Sequence, residues 1–479
     1  MVWRAPAVEA VLGVPVDETT LSTDVLQHVV DIAAREGEQL DFKSKPHLPE
    51  KGPSPALSTA GEVLEKGWSA EQEFAKDVCA FANHMGGLML VGVRDEEEVA
   101  VEVMAPPVTD PGALEQRLRQ ALVNYAAPVP RFQCIPIAES GGFYLAIVVP
   151  ASITAPHAVR GASSNAKRPL HYPVRDGADT RWLLEHEIAD RYRARAASRD
   201  ERIALREDVV AKGVEALARA PEDDLWLYVA IAPESTTQAL LDQPTVAAIS
   251  GWLREYGFVS PLERMLLFRT TPLPAPGRVT ATAHQAHRAG KEEADPDEQY
   301  VELYADGRAF AATAVVARSD DEGDHRALGE LTLADDALML VDLVVSWAAH
   351  QAGAWGEAEA VVGLVRSASD EFAQPVTIHA VVGGDLRRIA GTRSVRGSLR
   401  SSTSVDLSAG STQLGRLAAA RDVLTVFLHH FGISEPRQLE PGGRIVPWAW
   451  SRHERQVERW ARERDLPAQE GDHSSWRRH

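Results

Sequence analysis

The chain has 479 residues, 44% hydrophobic and 25% charged, enough apolar material for two or three globular domains with sizeable cores. A formal net charge of −19 and a pI near 5.3 exclude attraction to nucleic acid by overall charge, so any phosphate-binding surface has to be local. Cys79 and Cys134 are the only cysteines, which excludes a disulfide framework, and the first twenty residues hold Arg4 and Glu9 without a sustained apolar stretch, so a cytoplasmic protein without membrane contact is expected.

Glu36-Gly-Glu-Gln-Leu-Asp41-Phe-Lys43 contains the first predicted strand. Leu40 and Phe42 alternate with Asp41 and Lys43, and strand side chains two apart share a face, so Asp41 and Lys43 are expected to project together away from the core. Residues 44–68 read as a long Pro- and Gly-containing loop. Ser69 with Gln72 is a capping-box start, followed by Phe74, Val78 and Phe81 at helical spacing, and Gly86 and Gly87 are expected to end that helix. The run 88–91 lacks polar alternation and predicts a strand buried on both faces, with Asp95 just past its end. Asp110-Pro111 opens a helix striped by Leu114, Leu118, Ala121, Leu122 and Tyr125. Strands are predicted at 132–137 and 143–149 around Ser140-Gly141-Gly142, and a helix from Thr180 onward.

In the second half the pattern predicts a strand at 225–231, a helix at 245–256 and a Pro-, Gly- and charge-rich linker over 271–299. Asp306-Gly307 marks a hairpin, an apolar helix spans 334–351, strands occupy 358–365 and 375–382, and a helix covers 414–431. His429-His430 before Gly432 reads as a partner of a helix C-terminus, Trp448 and Trp450 as packing residues, and Trp460 and Trp476 as docking or stacking residues. No catalytic constellation stands out there. The domain plan is 20–200, a connecting helix at 201–220, a mixed α/β domain at 221–445 and a Trp/Arg-rich tail at 446–479.

Glu36 to Lys43, Phe81-Ala-Asn83-His-Met-Gly86-Gly87, Gly92-Val-Arg-Asp95, Ile147-Val-Val-Pro150, Pro156 and Tyr172-Pro-Val-Arg175-Asp-Gly177 together resemble the Schlafen-type AlbA-2 domain, once described as a divergent AAA domain, over roughly 20–195. The resemblance implies an α+β fold, an N-terminal mixed sheet with flanking helices, here followed by a second mixed α/β domain. In relatives with ribonuclease activity it implies three catalytic carboxylates, which fall position by position on Glu36, Asp41 and Asp95, whereas many bacterial members are described as DNA-binding. Asp41 stands where glutamate is usual, residues 44–68 are a longer insertion than usual, and two cysteines are too few for the zinc site of animal relatives, so no zinc is expected. The absence of a Gly-x4-Gly-Lys-Ser/Thr loop argues against ATP binding.

Hard carboxylate oxygens hold Mg²⁺ or Mn²⁺, which neutralise phosphate oxygens and activate water, and Lys43 is expected to stabilise transition-state charge. A nucleic-acid groove is expected along Lys167, Arg168, Arg175 and Arg181, with His157, His171 and Tyr172 interleaved; Arg191, Arg193, Arg195 and Arg199 read instead as an Arg-rich helix end. Three classes of function fit: a metal-dependent endonuclease acting on tRNA or structured RNA, a noncatalytic DNA- or RNA-binding regulator, and a sensor or scaffold that forms a homodimer through its N-terminal domain. The three acids together with Lys43 favour the first.

Overall fold

The computed structural model describes residues 5–17, 19–51, 68–161, 169–218, 225–235, 243–267, 272–287, 299–315, 317–319, 325–366, 371–382, 385–389 and 391–469. The chain divides into two units, Met1–Glu201 and Arg202–His479.

In the first unit, helices α1 (Pro6–Leu12) and α2 (Thr23–Asp31) precede strand β1 (Leu40–Lys43). Helix α3 (Ala70–Ala82) opens with the predicted capping box, the Ser69 hydroxyl accepting from the Gln72 amide and the Gln72 side chain from the Ser69 amide. Strand β2 (Gly86–Val91) is buried throughout and runs parallel to β1. Then come the hairpin of β3 (Val93–Glu96) and β4 (Val99–Val103), helix α4 (Pro111–Tyr125), capped by Asp110, and the strands β5 (Ala126–Ala127), β6 (Gln133–Glu139) and β7 (Gly142–Pro150). Strands β1, β2, β7 and β6 lie in that order in a mixed sheet, antiparallel except for the first pair. Strands β8 (Ala158–Arg160), β9 (Leu170–His171), β10 (Pro173–Asp176) and β11 (Asp179–Trp182) and helix α5 (Glu185–Leu217) follow. The fold class is α+β, as expected.

Alternation gives this sheet two covered faces. Leu40, Phe42, Leu88 and Leu90 pack with Val8, Leu26 and Val29 of α1 and α2, while Met89 and Val91 pack with Phe74, Val78 and Leu118 of α3 and α4. The register sets Asp41 beside Met89 and Lys43 beside Val91, so both acid and lysine are on the α3 side. The expectation that they project away from the core is therefore corrected: a sheet covered on both faces leaves no solvated side here, and Asp41 is 2% exposed.

Two boundaries also move. Helix α3 stops at Ala82 with Asn83 as C-cap, and Gly86 and Gly87 begin β2 instead of ending the helix. Gly86 has φ +79°, and a Cβ there would lie 2.6 Å from the Ala151 nitrogen, so its glycine serves a close backbone approach. Thr180 belongs to β11, and the helix predicted from it begins at Glu185 because the β10–β11 hairpin intervenes.

In the second unit Leu225–Ser235 and Trp355–Arg366 pair antiparallel within an eight-stranded sheet. Helix α6 (Gln243–Glu255) lies on the chain before it turns back, and α7 (Glu330–Ser346), buried along its length, packs with α8 (Gln413–Leu428) in the main core. The Asp306-Gly307 hairpin forms as predicted, with Gly307 at φ +85°. The linker over 271–299 is corrected: Leu273–Ala275 and Arg278–His287 are paired strands, because cross-strand hydrogen bonds to Gln299–Tyr304 supply the order that a Pro- and Gly-rich composition conceals; residues 271 and 288–298 lie outside the described residues. Helix α9 (Glu454–Arg462) joins this core through Val457, Trp460 and Ala461. Trp450 is fully buried and Trp460 donates its Nε1 hydrogen to Val259 O at 2.6 Å, so both pack inside; Trp476 lies outside the described residues.

Candidate functional site

Backbone pairing carries Glu36 and Asp95 to the neighbourhood of β1. Arg35 bridges Val99, the Glu36 amide donates to Glu98 O at 2.8 Å and the Ala100 amide to Ala34 O at 2.9 Å, which lays segment 34–36 along the β3–β4 hairpin. The Gly92 amide donates to Lys43 O at 2.7 Å, so the chain leaves β2 beside the end of β1. Gly92 has φ +110°, and that break lets a new strand start at once: Asp95 sits within β3, not in a turn beyond β2.

The Glu36 carboxylate accepts from the Phe42 amide at 2.6 Å. Burial first, then the charge of Asp41, push its pKa up to about 8, with Asp95 adding to the rise and the Phe42 amide and Lys43 opposing it. Glu36, Asp41 and Asp95 thus share one electrostatic field. Lys43 Nζ is 2.9 Å from Asp41 Oδ2 in an ion pair. Burial by itself would lower the Lys43 pKa, but Asp41 and Asp77 outweigh it and hold the ammonium above its ordinary value. Among the described residues no three carboxylate, imidazole or thiol groups are gathered as ligands of a common ion. The acids match a hard divalent cation in donor type, with Asp41 turned toward Lys43.

Arg175 is corrected as a groove residue. It is 5% exposed, its Nη2 donates to Gly37 O at 3.0 Å and lies 3.8 Å from Asp41 Oδ1, and its guanidinium sits 4.7 Å from the centre of the Phe81 ring. A β10 side chain that points under the sheet edge is spent on the Glu36–Asp41 segment. Arg181 is exposed and forms a two-pronged pair with Glu187 at 2.8 and 2.9 Å. Lys167 and Arg168 lie outside the described residues. Arg191 to Arg199 stand in the first half of α5 and not at its end, since the helix continues to Leu217; Arg191 donates to Asn83 O and Arg193 to Asp190.

Two features were not anticipated from the sequence. His47 Nε2 is 3.0 Å from Asp77 Oδ2, and Lys76 pairs with Glu73. Burial would raise the Asp77 pKa, but the His47 bond, Lys76 and Lys43 hold it well below the carboxylate range, so a second ionic group adjoins the Lys43–Asp41 pair. The signal was Glu73, Lys76 and Asp77 at i, i+3 and i+4 beside the apolar stripe of α3. Asn83 clasps distant strands: its Nδ2 donates to His157 O and Pro173 O, both at 2.8 Å, and its Oδ1 accepts from the His157 amide at 2.6 Å.

His157, fully buried, shares a 2.7 Å bond with Pro128 O. Burial lowers its pKa to about 4, the Pro128 bond resisting and the Arg195 charge assisting. The folded form therefore refuses a proton that the unfolded chain accepts below about 6.5, so stability is full above that pH and declines as pH falls toward 4, by as much as about 3 kcal/mol. Urea melts between pH 7.5 and pH 4.5 should show a steeper loss for the native protein than for His157→Gln; parallel losses would rule this account out.

Residues 36–183 match the Schlafen, AlbA_2 family profile, and the first unit carries a Schlafen AlbA_2 domain. That family points to a nucleic-acid-related function. Two solved structures are similar to part of the chain. The DIP2311 protein of Corynebacterium diphtheriae is 21% identical over 36% of this chain and 28% of its own, at a TM-score of 0.21. The N-terminal domain of a RecG-related protein of Nitrosomonas europaea is 18% identical over 35% of this chain and 97% of its own, at a TM-score of 0.22. The chain thus aligns with little more than a quarter of the C. diphtheriae protein. No curated protein matches the chain. No helix among the described residues is long and apolar enough to cross a membrane.

Proposed function

We propose that the first unit binds RNA of tRNA-like or otherwise structured form and hydrolyses its phosphodiester bonds with Mg²⁺ or Mn²⁺ at Glu36, Asp41 and Asp95. The observation that supports this is the proximity of the three acids at β1: burial first, then the charge of Asp41 with a smaller addition from Asp95, pushes Glu36 up to about 8. A divalent cation bound there would supply charge neutralisation at the scissile phosphate and an activated water. Glu36, Asp41 and Asp95 would hold it through hard oxygens. Lys43 stays protonated, orients Asp41 and offers its remaining N–H groups to phosphate oxygen.

A second reading, binding of DNA or RNA without cleavage, is favoured by one specific contact set: Lys43 and Arg175 already compensate Asp41 inside the fold. The two readings separate in one experiment with the full chain, a labelled structured RNA and a single-stranded DNA. Cleavage in Mn²⁺ that disappears in EDTA and in Asp95→Asn is the expected result. Gel-shift binding that persists in EDTA without any cleavage would transfer the conclusion to the second reading. If neither nucleic acid binds at low salt, both readings fall and dimerisation becomes the function to measure.

A further inference from the structure

The second unit contains a cavity of about 520 Å³ between α6, α7 and α8, within the size range of small-molecule sites. Its walls differ in character. One is aromatic: Trp252 stands 5.4 Å from Tyr256 and 5.7 Å from Trp347 between ring centres, and Phe258 completes the lining. The rest of the lining is largely polar: Glu255 of α6, Ser346 at the end of α7, His350 and Gln351 in the turn that follows it, and Gln413 and Arg416 at the start of α8. At the polar end of α7 the helix widens into a π turn over Trp347–Gln351, closed by the Ala352 amide donating to Trp347 O at 2.9 Å. Such turns interrupt helical regularity and are frequent at functional sites.

Asp342, 4% exposed, lies in the lining and is compensated by its neighbours: it accepts from Tyr256 Oη at 2.6 Å and from Arg416 Nε at 2.5 Å. Arg416 is further committed to Gly410 O and Ser411 O. Burial and the Arg416 charge hold His350 below the ordinary histidine value, so it presents a neutral ring at pH 7. Asp342 and Arg416 thus neutralise each other within the lining. The lining offers aromatic rings together with amide, imidazole and hydroxyl groups that both donate and accept. At the lining also stands Arg464, whose guanidinium lies 4.9 Å from the centre of the Trp460 ring.

We propose that this cavity binds a purine nucleoside or nucleotide, the base lying against Trp252, Tyr256 and Phe258 with its polar edge toward Gln351, His350 and Gln413. A flat heterocycle with alternating donors and acceptors satisfies both parts of the lining, which an aliphatic chain or a bare anion would not. If the ligand carries a phosphate, Arg464 is the cation that meets it. This site is independent of the acidic cluster of the first unit.

Isothermal titration of the full chain with adenosine, guanosine, AMP and GMP tests the proposal. At least one should bind saturably at one site with Kd below about 1 mM. Trp252→Ala should weaken that ligand about 10-fold through loss of stacking. Because Trp252 touches the core, the exposed Gln351→Ala provides the second variant, expected to weaken binding several-fold with an unchanged circular dichroism spectrum. AMP or GMP binding tighter than its nucleoside assigns the phosphate to Arg464, and equal affinity assigns recognition to the base alone; either upholds the site. Absence of saturable binding by all four probes, or affinity unchanged in both variants, overturns it.

Discussion

Asp41→Asn should lower the stability of the first unit by about 3 kcal/mol, the cost of breaking one side of a buried ion pair. Asp41 is 2% exposed, Lys43 Nζ lies 2.9 Å from it, and Arg175 approaches at 3.8 Å, so the substitution strands two cations under the sheet edge. The loss comes from uncompensated charge and not from lost packing, because asparagine keeps the volume. A double substitution separates the two causes: Lys43→Met added to Asp41→Asn should recover part of the stability, whereas two independent packing defects would add. Urea denaturation of Asp41→Asn, Lys43→Met and the double variant measures this. A single-variant loss under about 0.5 kcal/mol would show that water already solvates the pair.

Glu36→Gln should act in the opposite direction on stability. With a folded pKa of about 8 against an ordinary 4.5, Glu36 takes up a proton on folding, so its contribution is fully present below pH 4.5 and is lost as pH rises through 8. Glutamine fixes the neutral form while its carbonyl can still accept from the Phe42 amide. At pH 9 the variant should be more stable than the native chain by about 2 kcal/mol, a figure reduced for the partial solvent access of the side chain, and at pH 5 the two should nearly coincide. The same variant should lose cleavage by about 100-fold or more if Glu36 helps to hold the cation. Higher stability with intact cleavage would make Glu36 a strained structural acid and remove it from the catalytic set. Stability that does not respond to pH in this window would remove the electrostatic argument itself.

Much of the first unit, and one hairpin of the second, was legible because the signals are local. The Ser69–Gln72 capping box, the Asp110 cap, the apolar run of β2 and the hairpin at Asp306-Gly307 each depend on residues within a few positions of one another, and all four form. Readings failed where a distant element decides. Gly86 and Gly87 looked like a helix stop, but Gly86 is held close to the Ala151 nitrogen, reached only after the chain folds back. Arg175 looked like a phosphate ligand, yet its partners, Gly37 and Asp41, are more than 130 positions away. Residues 271–299 looked like a linker because Pro and Gly conceal strands that exist by pairing with neighbours.

Local sequence pattern determined the placement of most helices and strands, and the chain's resemblance to the Schlafen AlbA-2 domain implied the α+β class and the candidate acids beside Lys43. Tertiary structure alone decided which face of β1 those side chains occupy, that Asp41 is buried and paired, that Asp95 lies on a hairpin drawn against the Glu36 segment, and that His47 and Asp77 adjoin them. The division follows from range: propensity, capping and alternation act through neighbours in sequence, whereas burial and charge coupling depend on which segments the sheet order brings together.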